Sequence, residues 1–221
     1  MRKIDPLPYF LKRSFSESLT WQCLRQSALA GVFLGLTSVW AGDVQLVITD
    51  AAGKPLPHAV AFLDSPEAKA LVRPKVGLEV EQVERQFLPR VALVPVGSLV
   101  SFPNRDKVRH HVYSFSPAKT FDLKLYTREP SNPVLFDRPG VVVLGCNIHD
   151  QMLSWVLVVE TPYYGSAGAN GQLTLAGVPP GNYQLKIWHE GLPPGSSPQE
   201  QTVTVPAGAV KVAATLKGVS L

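Results

Sequence analysis

The chain has 221 residues, 45% hydrophobic and 17% charged, with a formal net charge of +4. That length allows one domain or two small ones, and 17 Gly with 20 Pro stay below the roughly 25–30% that marks low-complexity sequence. Arg2, Lys3, Lys12, Arg13 and Arg25, against Asp5 and Glu17, confine most of the positive charge to residues 1–41. The remainder is close to neutral and lacks the basic stripe that nucleic-acid binding needs.

Residues 1–41 read as an export leader. Arg25 precedes the apolar run SALAGVFLGLTSVWA (27–41), which falls short of the roughly 20 residues a membrane-spanning helix requires. Val39 and Ala41 supply small residues at a cleavage site before Gly42. Cys23 precedes the apolar core, unlike an acylation site, and leaves with the leader. This reading predicts a periplasmic protein with no stable membrane insertion after cleavage; a buried helix at the start of the domain and an uncleaved anchor are the alternatives. The exported chain keeps Cys146 as its one cysteine, so no intramolecular disulfide forms. Intermolecular pairing, inert burial, a nucleophile and a metal thiolate are the remaining roles.

After residue 42 the chain alternates strand-length apolar runs with turn clusters. VQLVITD, AVAFLD, VALVPV, LVSF, HVYSF, VVVLG, WVLVV, QLTLAGV, YQLKIW, TVTV and VKVAATL are separated by AGKPLP, PVGS, FPNRDK, SNP, RPG, VPPGN and LPPGSSP. The pattern predicts an all-β sandwich or barrel, with at most one short helix over residues 65–71. Composition shifts at TPYYGSAGAN (161–170), a candidate boundary. The expected organisation is a leader at 1–41, N-terminal strands at 42–72, a central domain at 73–162 and a C-terminal segment at 163–221. The strings GKPL…AVAFL and NGQLTLAGVPPGNYQL resemble the two halves of a carboxypeptidase regulatory-like sandwich, which implies a smaller second β-sandwich with the central domain inserted. Alternatively, residues 43–64 add strands to the central sheet. Glu79, Glu81 and Glu84 read as a solvated strand face, and Trp188 beside His189 as sheet packing.

Chemistry concentrates in LGCNIHDQM. Cys146, His149 and Met152 lie between a strand ending at Cys146 and another beginning after Met152, and Met152 is the only methionine after the leader. Thiolate, thioether and imidazole are too soft a set for Ca²⁺ or Mg²⁺, and the thioether favours copper over zinc. Two His and one Cys with a weak axial Met is the blue-copper arrangement, so one further His must come from His58, His110, His111 or His189. Neighbours on a strand face opposite ways, so only one of His110 and His111 reaches a given site. His58 and His189 have no ligand-like neighbours and read as structural.

Here the sequence resembles the cupredoxins, the family of plastocyanin and amicyanin. HHV is similar to the H-N-V string of their first ligand, Cys-x2-His-x2-Met to the short ligand loop, and QFLPRVALVPVGSLVSFPN to the strands before it. HHVYSFS, LGCNIHDQM and the following TPYY also resemble bacterial periplasmic proteins of the methylamine-utilisation type. The resemblance implies a Greek-key cupredoxin β-sandwich, one type 1 copper ion on His110, Cys146, His149 and Met152, and one-electron transfer between redox partner proteins. It implies that His149 is the solvent-side electron port, with Leu153 and Phe102 in an apolar docking rim. His111 stands where the family has Asn, which leaves it as a replacement ligand for His110. Four protein ligands leave no open position for substrate, which argues against an enzyme. Copper delivery, a metal-free adhesion or assembly module, and a cysteine hydrolase using Cys146 with His110 or His149 remain the competing readings.

Overall fold

The computed structural model describes residues 41–128 and 132–220; residues 1–40, with Cys23 and nearly all of the expected leader, lie outside the described residues. The first elements are β1 Gly42–Thr49, β2 Val60–Asp64, α1 Pro66–Leu71, β3 Leu78–Glu79, β4 Glu81–Val83 and β5 Gln86–Leu88. Then come β6 Val91–Pro95, β7 Ser98–Ser101, β8 His110–Ser116, β9 Lys119–Tyr126, β10 Val134–Phe136, β11 Gly140–Cys146 and β12 Leu153–Val159. The chain finishes with β13 Tyr164–Ser166, β14 Gln172–Val178, β15 Gly181–Trp188, β16 Gln199–Val205 and β17 Val210–Thr215. The protein is an all-β sandwich. Its helix starts where the Ser65 hydroxyl accepts from the Ala68 N–H at 3.1 Å, with Pro66 in the first turn, where a missing N–H costs nothing.

A five-stranded sheet, β6-β12-β11-β8-β9, and a three-stranded sheet, β10-β7-β3, enclose a core that includes Phe102, Val112, Phe136, Val142, Leu144 and Val156. A second core, including Leu46, Ile48, Leu63, Leu185 and Val205, gathers the sheets β13-β2-β15-β16 and β14-β1-β17. β1 pairs with β14 and β17, and β2 with β13 and β15, so residues 42–64 join strands from beyond residue 163 and add none to the five-stranded sheet.

β12 belongs to both cores. Successive strand side chains point to opposite faces. Trp155, Leu157 and Val159 therefore enter the core of the flanking strands, while Val156 and Val158 enter the central one. This explains why WVLVV within LSWVLVV is a continuous apolar run: both faces are covered, and every position after Leu153 is buried. Trp155 meets Trp188 of β15 with ring centroids 5.9 Å apart, and the Arg90 guanidinium lies 5.3 Å from the Trp155 centroid while pairing with Glu190.

Every apolar run read from the sequence lies in or overlaps a strand, but six strands carry weaker signals. β9, KTFDLKLY, is an outer strand with no fully buried residue, so its alternation is only half apolar. β3, β4, β5, β10 and β13 span 2 or 3 residues each, too short for a period to register. Glu84 corrects the expected strand face: it sits in a turn with Arg85, both at positive φ (51° and 61°), while Glu79 and Glu81 are on strands.

His58 is exposed at a positive φ of 59°, and His189 is buried. The His189 Nδ1 accepts the Gly191 N–H at 2.9 Å and its Nε2 lies 3.1 Å from the Pro57 carbonyl, the pattern of a neutral ring with its proton on Nε2. Burial pushes its pKa below the ordinary value, against a smaller upward pull from Glu190.

Replacing Leu157 with Ala removes a fully buried side chain of the shared strand and should cost about 2–5 kcal/mol of unfolding free energy, read from the urea midpoint. For His189, the unfolded chain binds the extra proton more readily than the folded one. Stability contributed by the neutral ring is therefore complete above about pH 6.5 and lost as pH falls towards its depressed folded value. Thermal melts between pH 5 and 7.5 should show this slope in the wild type and a flatter one in His189→Gln.

Candidate metal centre

β11 and β12 form a hairpin whose loop carries two of the expected side chains. β11 ends at Cys146, β12 starts at Leu153, and the Met152 N–H donates to the His149 carbonyl at 2.9 Å to close the turn between them. His110 arrives on β8. Cys146 pairs across the sheet with Val112 and Gly145 with Tyr113, so His110 and Val112 share the inner face that Cys146 occupies. A Cβ at Gly145 would stand 2.8 Å from the Tyr113 ring, so any side chain there would displace that ring.

The Cys146 Sγ lies 3.8 Å from the His110 Nδ1 and 3.9 Å from the His149 Nδ1. One ligand atom from each of the three residues lies within 4.8 Å of the other two, a group that could hold a metal ion. At zinc-like bond lengths, about 2.3 Å to sulfur and 2.0–2.1 Å to nitrogen, two ligands at 120° stand about 3.8 Å apart. Both S···N separations match that figure, so each imidazole nitrogen stands from the sulfur at the distance two ligands of one ion would have. Cys146 and His110 are buried and His149 is partly exposed. Met152, fully buried, packs in the same core as Cys146.

His111 takes the opposite face of β8, hydrogen-bonded to Asp122 and edge-on to Tyr113. It stands outside the cluster, as do His58 and His189. Phe102 is a correction: it is fully buried in the central core, its ring tilted against Phe121 with centroids 5.5 Å apart, so it contributes no docking rim. A strand-end Phe beside a Pro-Asn turn carries no sequence mark separating core from rim. Leu153 and Ile148 are exposed, at 38% and 47%.

Sequence reasoning missed the residues behind His110. The Asp106 Oδ2 lies 2.7 Å from the His110 Nε2 and also accepts the Arg85 N–H at 2.9 Å; Oδ1 accepts the Glu84 N–H at 2.7 Å. Burial tends to raise the Asp106 carboxyl, but hydrogen bonds from Arg85, His110 and Glu84 outweigh it and hold the pKa below the ordinary value. Two adjacent non-glycine residues at positive φ cost of order 1–3 kcal/mol each, and the carboxylate holds the turn that contains them. Asn104, also buried, donates to the carbonyls of Val108 and Tyr126 and accepts the Asp106 N–H, bracing the loop. A spacing of four in a loop has no fixed geometry, so RDKVRH held no signal that Asp106 meets His110.

Asp106 supplies the orienting third residue that a Cys–His hydrolase needs, which the sequence did not disclose. Cys146, however, is 3% exposed and lies in the same core cluster as Val112 and Leu144.

No family model matches the chain, and no curated protein matches it. Among solved structures it is similar to a purple cupredoxin from Nitrosopumilus maritimus at 20% identity and a TM-score of 0.33, covering 37% of this chain and 99% of that one. It is similar to a mutant of amicyanin in the reduced Cu(I) form at 22% identity and a TM-score of 0.35, covering 45% of this chain and 98% of that one. A Cu-containing nitrite reductase from Thermus scotoductus SA-01 aligns at 24% identity and a TM-score of 0.35, covering 52% of this chain and 28% of that one. Likeness at this level assigns neither ligand nor activity here, and the metal-binding reading stands on the chain's own donor atoms.

Proposed function

We propose that this protein is a periplasmic type 1 copper protein that carries one electron at a time between redox partner proteins, and that it is not an enzyme. The observation that carries the reading is the pair of S···N separations, 3.8 and 3.9 Å, around one buried thiol. The donor chemistry selects the ion: one thiolate and two imidazoles suit copper or zinc, and a thioether from Met152 as weak axial ligand favours copper. Bound there, one copper ion supplies a reversible one-electron couple.

The chain's own residues do the rest. His110 and His149 each stand at ligand spacing from the Cys146 sulfur on a β scaffold that holds them there, so little rearrangement accompanies a change of oxidation state. Burial of Cys146 and His110 excludes water from the sulfur. His149, partly exposed, is the electron port, and Ile148 with Leu153 forms the apolar rim against which a partner docks. Residues 73–162 constitute the metal-holding domain, and residues 42–72 with 163–221 a second β-sandwich that backs it. The export leader puts the protein in the periplasm, and no nucleic acid or stable membrane insertion is involved. Among the described residues no helix is long and apolar enough to cross a membrane. Copper delivery is disfavoured because His110 and Cys146 are buried, which slows ligand exchange.

Residues 42–221 loaded with Cu(II) should show an intense thiolate-to-copper absorption band that bleaches and returns on redox cycling. Cys146→Ser and His110→Ala should abolish the band, while His111→Ala leaves it in place. A folded wild-type protein that takes up copper without the band, or surrenders it rapidly to a chelator, sinks the carrier reading.

A further inference from the structure

We propose that Asp106 is a positioning residue for the metal centre: its carboxylate fixes the His110 tautomer that turns an Nδ1 lone pair towards Cys146, and its negative charge favours the more highly charged ion. The inference deepens the proposed function and rests on that reading for its redox part only.

An ionised carboxylate only accepts hydrogen bonds, and a neutral imidazole carries one N–H. The His110 Nε2 stands 2.7 Å from the Asp106 Oδ2, so the ring proton belongs on Nε2. That leaves the Nδ1, 3.8 Å from the Cys146 Sγ, as the free lone pair. The ring is fully buried, and Asp106 is the partner its Nε2 has. Partners of this kind orient metal-binding histidines and raise their basicity.

The carboxylate is itself held in place. Both oxygens accept backbone N–H groups from the 84–85 turn, its own N–H is tied to the Asn104 side chain, and the Asn104 and Gln82 backbones bridge the loop to β4. The short β4–β5 hairpin therefore has a use: it is the platform that aims Asp106 at His110. Three of the four expected ligands come from the β11–β12 hairpin, whereas His110 stands alone on its side and depends on this platform for its orientation.

The first test needs neither copper nor a variant. In metal-free wild-type protein with 15N-labelled histidine, long-range 1H–15N correlation should show His110 as the Nε2–H tautomer, and an Nδ1–H ring overturns the proposal. The second uses Asp106→Asn, which retains an oxygen able to accept one of the turn's N–H groups. Competition with a chelator should show Zn(II) binding weakened about 10–100-fold, and affinity within twofold of wild type overturns the proposal. For copper-loaded protein the midpoint potential should rise, by about 59 mV for each tenfold preferential loss of Cu(II) over Cu(I) affinity. A wild type with no charge-transfer band sinks the copper assignment alone, because tautomer and Zn(II) affinity still decide the role of Asp106. If the variant does not fold, the wild-type tautomer decides it.

Discussion

Two cross-strand pairs, Gly145 with Tyr113 and Cys146 with Val112, determine whether a thiol and an imidazole 36 positions apart can meet. A slip of one residue would exchange inner and outer faces and offer His111 in place of His110. The register is defended from both sides. Val112 and Ser114 are fully buried on the inner face, so a slip would bring Tyr113 and His111 inward. On the outer face the Tyr113 ring lies over Gly145, which has no side chain to obstruct it.

The hairpin that bears Cys146 and His149 is supported from two directions because β12 is packed into both cores. An isolated sandwich presents the outer face of such a sheet to water. Here the flanking strands cover it, with Trp155 against Trp188 at the contact and Val141 and Val143 of β11 half-buried beside it. Strands covered on both faces open last in local unfolding, so the loop between them inherits a rigid base. The other side of the centre is held by polar contacts: Asn104 and Asp106 satisfy the 104–110 loop with hydrogen bonds where apolar packing is thin.

How much was legible depends on distance along the chain. Cys146, His149 and Met152 could be read together because a strand end and a strand start bracket them, and a tight loop leaves few geometries. His110 was legible only through the resemblance of HHV to a known ligand string; the alternation rule excluded one of the two histidines without saying which. Asp106, Asn104 and Gln82 were illegible, since each acts on backbone groups or side chains of a different segment. Phe102 was misread, because a Phe at the end of a short strand has the same sequence signature in a core as at a rim.

The amino-acid sequence by itself determined the all-β class, the main strands, the helix start at Ser65 and the soft donor set, because each of these follows from neighbours within a few residues. Turn chemistry, alternation and side-chain donor type are local properties. Tertiary structure alone decided that His110 faces the sulfur, that Asp106 stands behind it, and that strands from both ends of the chain close over the outer face of β12. Those outcomes are pairings between distant segments, selected by which apolar faces can be buried together and which polar groups can be satisfied once they are.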